Sequence, residues 1–192
     1  MSQTKIGVGM INATSIGDAK VLQGDGAWVT PGFTLGTEAA TTSGASVTIG
    51  SIPSGVKHII VSLAGVSLAA DHQSLGIQLG DAGGLETSGY SGLINVLNST
   101  TPAPVVLAAS FLLNSGSGVA AANAFSGSLI LTLQDSANFT WAATGGISAH
   151  LSSSDRHWAN VNGTKALSAE LTQVALITSS TFDVGAFNIA YI

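Results

Sequence analysis

Apolar residues alternate with polar or small residues along much of the chain. In the run KHIIVSLA, Ile59, Val61 and Leu63 share one face of an extended strand, and residues 75–79 and 128–133 repeat this pattern. A period of two is typical of β-strands that bury one face. The 24 glycines divide the chain into pieces too short for most helices. The pattern therefore predicts an all-β protein.

Two runs near the C-terminus refine this prediction. In residues 165–178, Leu167 and Leu171 occupy odd positions whereas Val174 and Leu176 occupy even ones. A shift of face inside a strand is typical of a β-bulge, which we place near residues 172–173. The final run predicts a strand that places three side chains on one face: Phe187, Ile189 and Tyr191.

Short strands at regular spacing indicate a sandwich or a barrel. With weaker candidates at residues 138–143 and 150–154, we expect roughly nine strands in an antiparallel, jelly-roll-like β-sandwich. The sandwich should occupy residues 45–192, after a linker at 37–46. Residues 1–44 have only scattered apolar positions, which predicts an extended N-terminal arm that gains order on a partner. Its candidate anchoring residues are Ile6, Val8, Ile11, Leu22 and Trp28.

Charged residues make up 8% of the chain and hydrophobic residues 45%. A surface so poor in charge favours burial between subunits, so we expect an oligomer.

The net charge is −5 and the basic residues are scattered, which argues against nucleic-acid binding. Apolar runs of about nine residues are too short to span a bilayer, and no signal peptide is evident. We therefore expect synthesis in the cytoplasm.

Residues 79–92, LGDAGGLETSGYSG, concentrate glycine and acidic side chains. A phosphate-binding loop would need a Gly-Lys-Ser/Thr sequence that opens a helix, which is missing. A calcium loop could use Asp81 and Glu86, but these acids do not follow EF-hand spacing. The favoured interpretation is a hairpin turn capped by Asp81, with glycines at positive φ.

The remaining polar residues do not predict a catalytic site or a cofactor. The four histidines lack zinc-ligand spacing, and no Gly-x-Ser-x-Gly element is present. In residues 152–158, Trp158 stands beside charged groups, where an exposed indole would suit sugar stacking. An inward-folded Trp158 is the favoured alternative. Tyr90 and Trp158 are the candidate ligand-binding residues.

Five segments occur in a fixed order along residues 50–192 and together resemble a β domain of tailed-bacteriophage virion proteins, often found at the C-terminal end of tail-fibre-like chains. The most specific part is Gly-Asp-x-Gly-Gly, which begins here at Gly80. Residues 21–31 also resemble the passage that follows many fibre attachment segments. The five segments are IPSGVKHIIVSLAGVS, IQLGDAGGLETSGYSG, FSGSLILTLQDSANFTWAATG, GTKALSAELTQVALIT and FDVGAFNIAYI.

The resemblance implies a non-enzymatic structural protein of the virion. Because the chain lacks a repetitive shaft, it suits a short tail-fibre-like appendage, a head fibre or a capsid decoration protein. The implied partners are other virion proteins and two further copies of the chain in a homotrimer. The alternative is a carbohydrate-binding module for host adsorption, whose partner is a host surface glycan. Neither interpretation involves a metal, a nucleic acid or a membrane.

Overall fold

The computed structural model describes residues 21–22, 28–29, 32–98, 101–116, 119–150 and 156–192. The chain divides into two compact units, Met1–Phe33 and Thr34–Ile192. In the first unit, strand β1 (Val21–Leu22) pairs antiparallel with β2 (Trp28–Val29).

The second unit contains the other strands and no helix among its described residues, and hence none that could cross a membrane. These strands are β3 (Thr34–Leu35), β4 (Ala39–Ala40), β5 (Ser46–Ile49), β6 (His58–Val66), β7 (Ser74–Asp81), β8 (Gly84–Leu85), β9 (Tyr90–Asn98), β10 (Thr101–Val106), β11 (Phe111–Ser115), β12 (Phe125–Asp135), β13 (Thr140–His150), β14 (Arg156–Ala166), β15 (Gln173–Thr178) and β16 (Ala186–Tyr191).

Two antiparallel sheets pack together in this unit, which confirms the predicted β-sandwich. The larger sheet has nine strands in the order β10-β9-β14-β13-β12-β6-β16-β3, with β4 also paired to β16. The smaller sheet has five strands in the order β11-β7-β15-β5, with β8 paired to β7. The strands β5, β7 and β11 alternate along the chain with β6, β9 and β12 of the larger sheet. This crossing is typical of jelly rolls, whereas β12, β13 and β14 form a meander.

The core lies between the sheets and follows the alternation in the sequence. Ile59, Val61 and Leu63 of β6 are buried, and Phe187 and Ile189 of β16 lie on the same face of the sheet. This burial confirms the predicted inward faces of both strands, because side chains of paired residues project to the same side.

Strand β7 is buried on both faces. Its inward residues belong to the core, while Gln78 on the other face donates a hydrogen bond to the Ala109 carbonyl at 3.0 Å. A side chain at Gly76 would meet the Ser110 hydroxyl at 2.6 Å from its Cβ. The loop before β11 therefore covers β7, and glycine permits this close approach.

The bulge predicted near residues 172–173 was wrong. Strand β14 ends at Ala166 in the larger sheet, and β15 begins at Gln173 in the smaller sheet. Leu167 and Leu171 are buried in the connection between them. The apolar positions change parity because the chain passes from one sheet to the other.

The compact unit begins at Thr34 rather than near Ala45. Strands β3 and β4, which were predicted to belong to the arm and the linker, pair with β16. The Gly36 amide also donates to the Ile189 carbonyl at 2.8 Å. These backbone bonds hold a segment of small residues on the sheet edge, although few apolar side chains mark it.

Candidate functional site

The glycine-rich stretch forms a tight turn between β7 and β8. Gly80 pairs with Leu85 and Asp81 with Gly84, so two residues close the hairpin. Asp81 accepts a hydrogen bond from the Gly83 amide at 2.7 Å, and Gly84 adopts a φ of 122°. The predicted turn with an Asp81 cap and a glycine at positive φ is confirmed.

A partly buried polar cluster joins this turn to the end of β14. Lys165 is only 4% exposed, and its ammonium forms an ion pair with the Glu86 carboxylate. It also donates to the Ala166 carbonyl at 2.6 Å. The Ser168 amide donates to Glu86 at 2.6 Å, and the Ser168 hydroxyl donates to Asp81, also at 2.6 Å. We call Asp81, Glu86, Tyr90, Lys165 and Ser168 the Lys165 cluster.

Tyr90 completes the Lys165 cluster from its apolar side. Its hydroxyl accepts from the Leu79 amide at 2.8 Å and donates to the Glu86 carbonyl at 3.0 Å. The Lys165 ammonium lies 5.6 Å from the Tyr90 ring centroid, within cation–π range. Phe111 packs edge-on against the same ring, at a centroid separation of 5.0 Å. Tyr90 therefore positions the turn and the cation together.

The environment of the Lys165 cluster shifts the pKa of three of its groups. The Ser168 hydroxyl, followed by the Gly83 amide, lowers the pKa of Asp81. Burial alone would raise the pKa of Glu86, but hydrogen bonds from Lys165 and Ser168 outweigh it and the net direction is down. Burial raises the pKa of Tyr90 to about 12. The two carboxyls are thus held charged and the phenol neutral, which suits a structural network.

The calcium interpretation of this stretch finds no support in the geometry. Both carboxylates accept hydrogen bonds from neighbouring donors within the chain. In the part of the chain that the structure describes, no group of three His, Cys, Asp or Glu residues could hold a metal ion.

Tyr90, a predicted ligand-binding residue, lies inside the fold. It is 4% exposed, and its hydroxyl forms hydrogen bonds on both sides of the turn. The favoured inward orientation of Trp158 was wrong, because this residue is 48% exposed. Trp158 lies on the outward face of β14, whereas its neighbours His157 and Ala159 are buried. Alternation along β14 decides its direction.

Trp158 belongs to a patch of uncharged polar side chains. In the register between β14 and β9, Asn160 is opposite Asn95, Trp158 is opposite Leu97, and Asn162 is opposite Leu93. A shallow open depression is lined by Gly92, Leu93, Asn95, Trp158, Asn160 and Asn162. We call Asn95, Trp158, Asn160 and Asn162 the asparagine patch.

Hydrogen bonds within the asparagine patch orient two of its amides. Thr144 on β13 donates to the Asn162 side-chain oxygen at 2.8 Å. Asn162 in turn donates to the Asn160 side-chain oxygen at 2.7 Å. Asn162 uses one N–H and one lone pair in this relay and keeps a second of each. The patch is therefore ordered while it retains donors and acceptors for another molecule.

The outward face of the larger sheet is uncharged over a wide area. Among the side chains that point outward, none is Asp, Glu, Lys or Arg in residues 91–97 of β9, 158–166 of β14, 140–148 of β13, 126–134 of β12 or 60–64 of β6. Lys165, which falls in one of these ranges, points inward and is buried.

Beside the asparagine patch, this face carries four apolar residues in register. Ile130 is opposite Ile60, Ile60 is opposite Ala190, and Ala190 is opposite Leu35. Ile130 and Leu35 are exposed. We call Leu35, Ile60, Ile130 and Ala190 the apolar row.

The predicted anchoring residues remain a prediction. Ile6, Val8 and Ile11 lie outside the described residues. Leu22 and Trp28 are opposite each other in the β1–β2 hairpin of the first unit.

No family model matches the chain, and no curated protein or solved structure is significantly similar to it. The assignment of a role therefore depends on the residues and on the geometry described above.

Sequence reasoning missed both the Lys165 cluster and the asparagine patch. Glu86 and Lys165 are 79 residues apart, so no local spacing could pair them. The patch had a weak signal, because Trp158, Asn160 and Asn162 stand at alternate positions in one run. That signal indicates a shared face, but it does not say which face is exposed.

Proposed function

We propose that this chain is a structural subunit on the surface of a bacteriophage particle. It acts as a short tail-fibre-like appendage or a capsid decoration protein, and residues of its N-terminal unit attach it to the particle. The sandwich meets neighbouring copies in a homotrimer. The role is not catalytic.

The observation that carries this proposal is the uncharged outward face with its apolar row. A partly exposed apolar row across four strands loses contact with water when a neighbouring subunit covers it, which is favourable by about 25 cal/mol per Å². A specific contact of standard size buries about 800 Å² per partner, and uncharged polar groups around the row cost less to desolvate than ions. The face is thus suited to a stable contact between subunits.

The Lys165 cluster supports the structural part of the proposal. Three of its members, Asp81, Glu86 and Tyr90, belong to the glycine-rich segment on which the resemblance depends, and Lys165 and Ser168 belong to another. These residues bind one another and hold the two sheets in place. The residues that the resemblance brings together are therefore determinants of the fold.

The direct test is to analyse purified particles of the phage whose genome encodes the chain. Mass spectrometry should detect the chain in stoichiometric amounts, and cryo-electron microscopy should place its sandwich on the capsid or the tail. Its absence from intact particles would overturn the proposal.

The subunit contact has a separate test in solution. We expect light scattering to give the mass of a trimer for the purified chain, and Ile130→Lys to dissociate it by placing a charge in the apolar row. The control is Gln134→Lys, which adds the same charge at an exposed residue of β12 outside the row. A wild-type monomer at micromolar concentration would contradict the expected contact.

A further inference from the structure

The asparagine patch combines an exposed aromatic face with several side-chain amides. Trp158 is half exposed. Its strand, β14, pairs with β13 on one side and with β9 on the other, so the backbone at Trp158 is rigid. From Trp158 to Asn162 the patch extends roughly 13 Å along β14, at about 3.3 Å per residue. Asn95 widens it onto β9.

A glycine on β13 leaves the surface beside Asn160 without a side chain. Gly146 lies opposite Asn160 on β13, and a Cβ there would be 3.8 Å from the Asn160 amide nitrogen. Because position 146 has no side chain, the Asn160 amide stays open toward β13. The result is a flat, slightly recessed surface rather than a deep pocket.

These groups match the chemistry of a neutral sugar. The face of an indole ring carries partial negative charge and attracts the weakly positive C–H groups on the flat side of a pyranose. The hydroxyls of the same ring are both donors and acceptors, as is each Asn amide. Amides lose less hydration free energy than ions on binding, which suits a ligand without charge.

We propose that the asparagine patch binds a neutral oligosaccharide. A pyranose ring stacks on Trp158, and hydroxyls of this ring and the next sugar bond to Asn160, Asn162 and Asn95. The relay from Thr144 through Asn162 to Asn160 holds the amides in place before the ligand arrives, which reduces the ordering cost of binding. This site is distinct from the apolar row and does not depend on attachment to a particle.

The chemistry favours a neutral over an acidic glycan. A carboxylate or sulfate is usually bound by Arg or Lys, and the asparagine patch contains neither. An acidic sugar would leave part of its hydration shell without compensation at this surface.

The experiment uses the full chain in native affinity gels that contain dextran, mannan, galactan or amylose as neutral probes, and alginate or heparin as acidic ones. We expect at least one neutral polysaccharide to retard the protein and to lower the acrylamide quenching of tryptophan fluorescence. Trp158→Ala, which leaves Trp28 and Trp141, should abolish this protection. Trp158→Ala should weaken binding at least tenfold, and Trp158→Phe should retain part of it. Asn160→Ala should weaken binding by about fivefold, as expected for one lost hydrogen bond.

Gln134→Ala is the matched control, because it removes an amide from the same sheet outside the patch and should not change retardation. Each variant is also checked by thermal unfolding and light scattering. Failure of all four neutral polysaccharides to bind would overturn the proposal, as would stronger binding to the acidic probes. If Trp158→Ala alters the oligomeric mass, the patch is a subunit contact and the proposal also fails. None of these outcomes bears on whether the chain is found in particles.

Discussion

Strand β14 carries two regions of opposite character, the Lys165 cluster on its inward face and the asparagine patch on its outward face. Lys165 is buried although it is charged, whereas Trp158 and the nearby amides are exposed although they carry no charge. The usual distribution places Lys in water and indole inside. Within residues 158–166 of this strand, the charged side chain, that of Lys165, lies where it has a partner and not where it has water.

The difference has a physical basis in desolvation. A buried ammonium is tolerated only when a carboxylate and additional hydrogen bonds replace its water, as Glu86 and the Ala166 carbonyl do for Lys165. On the outward face, uncharged groups lower the cost of removing water when another molecule binds. The inward region thus specifies how the two sheets fit, and the outward region is prepared for contact.

Removing the buried cation should have the largest effect on stability. Lys165→Met should destabilise the fold by about 3 kcal/mol, because Glu86 is left without its partner. The melting temperature should fall by about 9 °C for a domain of this size, measured by circular dichroism. Lys57→Met, at an exposed lysine, is the control and should change it by about 1 °C. Equal effects of the two substitutions would mean that Lys165 contributes no more than a surface residue.

A smaller loss of stability is expected when the hydroxyl of Tyr90 is removed from the Lys165 cluster. Tyr90→Phe leaves the buried Leu79 amide without its acceptor, which should cost about 1.5 kcal/mol in urea unfolding. The chain has two tyrosines, so Tyr191→Phe is a natural control. Tyr191 is half-buried at the end of β16, and we expect its loss of a hydroxyl to change the unfolding midpoint little. A larger loss for Tyr191 would contradict the assigned role of Tyr90.

The third prediction concerns the loss of folding stability at low pH. Asp81 and Glu86 have lowered pKa values in the folded state, so the unfolded chain binds more protons near pH 4. Their stabilisation is fully present above their ordinary values of about 4 and is lost as the pH falls through the folded values. Urea midpoints should therefore be level from pH 7 to about 5 and then decrease.

Glu86→Gln should make this decrease less steep. Part of the slope should persist, because hydrogen bonds also lower the pKa values of Asp81, Asp135 and Glu170. An unchanged slope would show that Glu86 is not held charged by Lys165.

The smallest effect should be that of salt on the outward face. Raising NaCl from 0.05 M to 1 M shortens the screening length to about 3 Å, yet the apolar row and the asparagine patch contain no charge to screen. Oligomeric mass and polysaccharide binding should both be unchanged, as measured by light scattering and affinity gels. Dissociation in high salt would indicate that ion pairs elsewhere hold the subunits together.

Much of the fold could be predicted from local patterns. Alternation along β6, β12 and β16 identified the strands and their buried faces, and the glycine-rich turn was assigned correctly with its Asp81 cap. These features depend on neighbours within a few residues, which the sequence displays directly. The errors arose where the partner was distant, as at β3 and β4, which are strands only because β16 offers a free edge.

The candidate sites show the same division. The sequence contains Trp158, Asn160 and Asn162 at alternate positions and Lys165 at the opposite parity, but no strand was predicted over residues 156–166. Strand β14 turns that spacing into two faces, because side chains alternate along a strand. Only the tertiary structure decided that the Lys165 face is buried and brought Glu86 to it across 79 residues. Burial and long-range pairing depend on how sheets stack, and stacking depends on the sum of many apolar contacts that no short segment encodes.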